Sequence, residues 1–192
     1  MKVVLILFLL VSSSLMAEPS EHILAPVEST PHLISGVEVS LITQSEWPRP
    51  QSRFSQKTVV LQLRITNRTG EMILFPTFDS FFTSLKTPDG KVMPLVGGRD
   101  ATRISPNILL QPKASFSIPI KATLRLPDSE NRVSLTIEDG TGSVATTELQ
   151  AGDYQIFFEV FSTHYDFEQE GKLSAPLWKG KGATNPIGFT VK

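Results

Sequence analysis

The chain has 192 residues, 40% of them hydrophobic and 19% charged, a balance that suits a globular domain and excludes an intrinsically disordered chain. With 18 basic and 19 acidic residues the formal net charge is -1, so no sequence-independent pull toward nucleic acid or anionic lipid is built in. Cysteine is absent, which excludes a disulfide framework, a thiolate nucleophile and a lipid-bearing cysteine behind a leader.

Met1-Lys2 is a short positive start, Val3 to Val11 is unbroken apolar sequence, and Ser12-Ser13-Ser14-Leu15-Met16-Ala17 is a small-residue exit. That order predicts a signal peptide over residues 1–17, cleaved between Ala17 and Glu18. The apolar run is far short of the ~20 residues a spanning helix needs. No later stretch approaches that length, so the mature chain is expected to lack a transmembrane segment and to be periplasmic or secreted. An exported domain without disulfides fits a bacterial periplasm best.

Residues 18–33 mix Pro, Ser, Glu and Thr with scattered apolar positions and predict a flexible N-terminal segment. From residue 34 to 192 the dominant period is two, as expected for strands whose side chains alternate between faces. Val37, Val39 and Leu41 begin the series. The polar stretch from Gln44 to Lys57, with Trp47-Pro48-Arg49-Pro50, predicts a long loop. Val59, Leu61, Leu63 and Ile65 form the cleanest apolar face, ending in the turn residues Asn67-Arg68-Thr69-Gly70, which coincide with a glycosylation sequon.

Met72 to Phe75 is a short apolar run, and Phe78 to Lys86 is aromatic-rich. The latter meets Val92-Met93 across Thr87-Pro88-Asp89-Gly90, a hairpin signal. Phe81 and Phe82 are adjacent, so a strand there turns one of them away from the core. Val96-Gly97-Gly98-Arg99-Asp100 predicts a loop. Ala114, Phe116, Ile118 and Ile120 alternate around Pro119, whose missing donor predicts a strand at a sheet edge. Val133, Leu135 and Ile137 lead into an Asp139-Gly140-Thr141-Gly142 turn. Tyr154, Ile156, Phe158 and Val160 form the last long inward face, Trp178-Lys179-Gly180-Lys181-Gly182 a turn, and Ile187, Phe189 and Val191 the closing strand. With no window of helical spacing, the expectation is a single all-β domain, a β-sandwich of antiparallel sheets.

Leu149-Gln150-Ala151-Gly152-Asp153-Tyr154, followed by Ile156, Phe158 and Val160, resembles the tyrosine-corner entry to a late strand in immunoglobulin-like and fibronectin-like domains. The resemblance implies an immunoglobulin-like sandwich over residues 34–192. It also implies that Tyr154 bonds back to upstream backbone, Leu149 plugs the corner and Gly152 permits the turn. The antibody-type cysteine pair is missing, which argues against the antibody family proper. A second likeness spans Val59 to Val160. The strand into Asn67-Arg68-Thr69-Gly70, the Phe-rich strand with Asp79, the Asp89-Gly90 turn and the Leu149/Gly152/Tyr154 corner look like the bacterial intracellular proteinase inhibitor family. The leader departs from an intracellular role, and no reactive loop can be placed.

The search for chemistry yields little. His164, Asp166 and Glu168 share one strand face at period two and offer a candidate set of metal ligands, weighed against a solvated strand end. No Gly-x-Ser-x-Gly, phosphate-cradling glycine loop or dinucleotide fingerprint occurs, so neither catalysis nor a cofactor is expected. Trp47, Tyr165 and Trp178 lie beside Arg49, Arg53 and Lys179. Two readings stand for them: a contact patch for a macromolecule, or caps folded over the end of the core. The functional expectation is an exported, non-catalytic binding module, recognising a protein or other macromolecule but not nucleic acid through loops and edge strands. A secreted proteinase inhibitor and a metal-assisted enzyme around His164 are the alternatives.

Overall fold

The computed structural model describes residues 25–77, 80–99, 107–126, 132–138, 143–162 and 175–192. The leader, the 139–142 turn, Asp79, and the set His164, Tyr165, Asp166 and Glu168 lie outside the described residues. In chain order the strands are β1 (Pro26–Glu28), β2 (His32–Ile34), β3 (Val37–Gln44), β4 (Glu46–Trp47), β5 (Gln56–Asn67), β6 (Ile73–Phe75), β7 (Phe81–Lys86) and β8 (Val96–Arg99). They continue with β9 (Ile108–Leu110), β10 (Ser115–Arg125), β11 (Val133–Glu138), β12 (Ser143–Leu149), β13 (Gly152–Phe161), β14 (Lys181–Ala183) and β15 (Ile187–Val191), and there is no helix among the described residues.

The larger sheet runs β1-β3-β5-β10-β11-β12-β8, with β2 sharing the outer edge of β3 with β1. The smaller is built on β13, which pairs β7 on one side and both β15 and β14 on the other, with β4 beyond β15. All pairings in both are antiparallel except β15 with β4. Alternation explains the layering. Val59, Leu61, Leu63 and Ile65 of β5 are all wholly buried, while Val60 between them is 54% exposed. They meet Ile156, Phe158 and Val160 of β13 in one continuous hydrophobic cluster fed by both sheets. Each such side chain removed from water contributes about 1.5–3 kcal/mol. The short pair β6–β9 closes one end, where Leu74 exchanges backbone bonds with the 176–178 segment, at 2.9 Å from Pro176 O and 2.8 Å from Trp178 N.

The Tyr154 hydroxyl accepts from Gln150 N and donates to Gln150 O, both at 3.1 Å. Leu149 is wholly buried, and Gly152 has φ +146, a conformation that only glycine adopts without strain. The sequon asparagine is equally fixed. Asn67 is buried, its Nδ2 donates to Glu71 O at 2.7 Å and Leu110 O at 3.0 Å, and its Oδ1 accepts from Thr69 N at 2.9 Å.

Several expectations need correction. Residues 26–28 and 32–34 are paired strands on the edge of β3, not part of a flexible segment, although their side chains are mostly exposed. The loop from Gln44 contains β4, and the glycine-rich stretch after Leu95 is β8, paired to β12. β12 itself was missed. The strand holding Pro119 is interior to the sheet, flanked by β5 and β11. Proline is tolerated because β11 pairs only Lys121 to Arg125, leaving no ladder partner on that side of Pro119 among the described residues.

Candidate functional site

The outer face of the smaller sheet is where exposed aromatic and cationic groups converge. Inward burial of Tyr154, Ile156, Phe158 and Val160 turns Gln155, Phe157, Glu159 and Phe161 outward. On β7, burial of Phe81 and Leu85 likewise turns Phe82, Ser84 and Lys86 outward, directly opposite Glu159, Phe157 and Gln155. Phe82 and Phe161 stack with ring centroids 5.0 Å apart at 25°, and the Lys86 ammonium lies 4.7 Å above the Phe157 ring.

The third wall comes from Trp178-Lys179-Gly180-Lys181-Gly182. Trp178 is buried, and a Cβ on Gly180 would come within 2.3 Å of its indole. A Cβ on Gly182 would come within 2.7 Å of Ile34. The two glycines let this segment lie tight on the core, and the intervening Lys179 and Lys181 are exposed. Lys181 pairs in register with Phe161. The result is an open hollow of about 530 Å³ between Phe82, Glu159, Phe161, Ser162, Lys179 and Lys181. Among the described residues, neither lysine forms an ion pair.

The residues expected to make a contact patch are dispersed. Trp47 is wholly buried, stacked on Phe189 at 3.8 Å and 21°, with Nε1 donating to Gln44 O at 3.2 Å. Trp178 is also buried, stacked on Phe75 at 5.0 Å. Neither indole is a contact surface; both pack in the core. Arg49 and Arg53 follow Trp47, half-buried and exposed respectively, and each already makes an interaction of its own. Val191 pairs with both Gly152 and Trp47, so that region is level with the start of β13, whereas Lys181 is level with its end. The separation along the strand is about 30 Å. Lys179 alone of the expected residues joins the face. Tyr165 and the candidate ligands His164, Asp166 and Glu168 are outside the described residues, and no His, Cys, Asp and Glu cluster able to hold a metal occurs among the described ones.

Sequence reasoning missed Phe82, Glu159, Phe161 and Lys181 as a group. Two signals pointed to them: the Phe81-Phe82 doublet, and the alternation of lysine with glycine after Trp178. Chemically the hollow offers apolar area and, among the described residues, two ammonium groups without an ion pair and one carboxylate, with no nucleophile and base in convergence. Comparison with protein-family models, characterised proteins and solved structures gives no match.

Proposed function

We propose that this chain is an exported, non-catalytic binding module, an immunoglobulin-like sandwich that recognises a protein or other macromolecule through the outer face of its smaller sheet. One observation carries the reading. The stacked Phe82 and Phe161 remain at the surface, Phe82 at 39% exposure, beside Lys179 and Lys181. Exposed aromatic area of this kind, rimmed by charge, is the composition of interface hot spots. The immunoglobulin-like assignment is supported by antiparallel sheets sharing one core and by the Tyr154 corner. The leader is supported by the order of charge, apolar run and small residues in 1–17.

The test uses mature protein as bait in envelope extract, with a Phe82→Ser/Phe161→Ser variant in parallel. The wild type should retain a specific partner that the variant loses by about tenfold or more. Recovery of nothing above background, or of the same set by both baits, refutes the reading. N-terminal sequencing of the exported protein should begin at Glu18; a protein found only with Met1 in place refutes the leader.

A further inference from the structure

We infer that the partner held at this face is an acidic protein segment, presenting carboxylates on either side of an apolar side chain. The inference rests on the binding role just proposed and names its chemistry. The apolar component follows from the ring pair. A side chain laid on Phe82 and Phe161 would leave water against rings that offer no hydrogen bond to lose. The acidic component follows from charge. Lys179 and Lys181 line the hollow without counter-ions among the described residues, where Glu159 is the one carboxylate lining it, and Lys86 stands over Phe157 on the same face. Opposite charge across such a rim raises the rate of encounter and disfavours basic partners.

Glu159 also discriminates among anionic occupants. It lies opposite Phe82 in the β7–β13 register, so it divides the aromatic floor from within. A continuous polyanion such as a nucleic-acid strand or an anionic bilayer would press unbroken negative charge onto that carboxylate. The whole chain, at net charge -1, adds no compensating attraction. A peptide can space its carboxylates toward the lysines and set an apolar or amide group over Glu159. Neutral sugars fit less well, because the hollow supplies few fixed polar groups beyond Glu159 and Ser162.

The test is fluorescence anisotropy with labelled peptides that share a Phe-Leu centre flanked by Asp, by Gln or by Lys. Oligothymidylate and phosphatidylglycerol vesicles serve as the competing anionic occupants. The Asp peptide should bind about tenfold more tightly than the Gln peptide at low salt, with the gap shrinking as the Debye length falls below about 10 Å. A Lys179→Glu/Lys181→Glu variant should reverse the preference toward the Lys peptide. Phe82→Ser/Phe161→Ser should weaken Asp and Gln peptides alike. Equal affinity for the three peptides, an unchanged preference in the lysine variant, or tighter binding of oligothymidylate or vesicles each overturns the acidic-segment inference. So does failure of every peptide to bind. The bait experiment decides separately whether the face docks anything, so failure of the acidic-segment inference is told apart from failure of the binding role.

Discussion

The two sheets turn different surfaces to solvent. On the larger, three outward ion pairs form. Glu28 meets Arg64 at 2.8 Å and accepts from Ser40 at 2.6 Å, and Glu38 meets Arg68 at 2.8 Å, holding that guanidinium's pKa above its usual value through a hydrogen bond and opposite charge. Arg132 meets Glu148, also at 2.8 Å, and the register sets Thr58, Thr123, Thr136 and Thr146 in one row across four strands. On the smaller sheet Glu46 meets Lys192 at 2.8 Å at one end, but at the other aromatic rings stand outward beside Lys179 and Lys181, which form no ion pair among the described residues. A face that meets only water is least costly when its charges are paired, as in the larger sheet's three ion pairs. Aromatic area left out beside two lysines and a single carboxylate calls for a different explanation, which is cover by something else.

That contrast breaks if the exposed ring pair is as structural as the buried one. Trp47→Ala should cost about 3–5 kcal/mol, because it empties a wholly buried site and strands the ring of Phe189. Phe82→Ser/Phe161→Ser should cost no more than about 1 kcal/mol, the scale for surface positions. Urea unfolding of both variants reads the difference. Similar losses would place Phe82 and Phe161 in the core and remove the surface on which the functional argument stands.

Tyr154→Phe sharpens the contrast at an intermediate size. It deletes both bonds to Gln150 while keeping the ring that stacks on Phe189, for an expected loss of about 1–2 kcal/mol. The corner fixes where β13 begins, yet the outward residues that form the hollow lie at the strand's other end. The unfolding midpoint should therefore fall while affinity for the acidic peptide stays unchanged. A variant as stable as the wild type would show that the corner bonds are exchanged for water at no cost.

What was legible in the sequence depended on how local the signal is. β5 announced itself because Val59, Leu61, Leu63 and Ile65 keep one apolar face at even spacing, and the corner did so because Leu149, Gly152 and Tyr154 lie within one turn of chain. Trp47 was misjudged because its burial comes from Phe189, far along the chain, and its two-residue strand sits in a run of proline and arginine with no period of its own. β1 and β2 gave no alternation because nearly all their side chains are exposed; pairing to β3 alone makes them strands. β8 was read as a loop from its glycines, and Gly98 has no neighbour a Cβ would meet, which suits an edge. The candidate site needed three segments in register, from β7, β13 and the Trp178 stretch. Each supplied a legible half-signal, but periodicity within a strand says nothing about which strands are neighbours.

The smallest effect tests the larger sheet. Glu28 and Arg64 are 36% and 43% exposed at their side chains, so water already screens the pair. A double-mutant cycle with Glu28→Gln and Arg64→Gln should give a coupling of about 0.2–1 kcal/mol that declines with added salt. Lys179→Glu beside the other sheet loses no ion pair among the described residues and should leave stability within about 0.5 kcal/mol of wild type. If removing Lys179 destabilised the fold more than uncoupling Glu28 from Arg64, its charge would be held by the folded chain itself. The smaller sheet's face would then be as self-satisfied as the larger one's, and its lysines would no longer speak for an acidic partner.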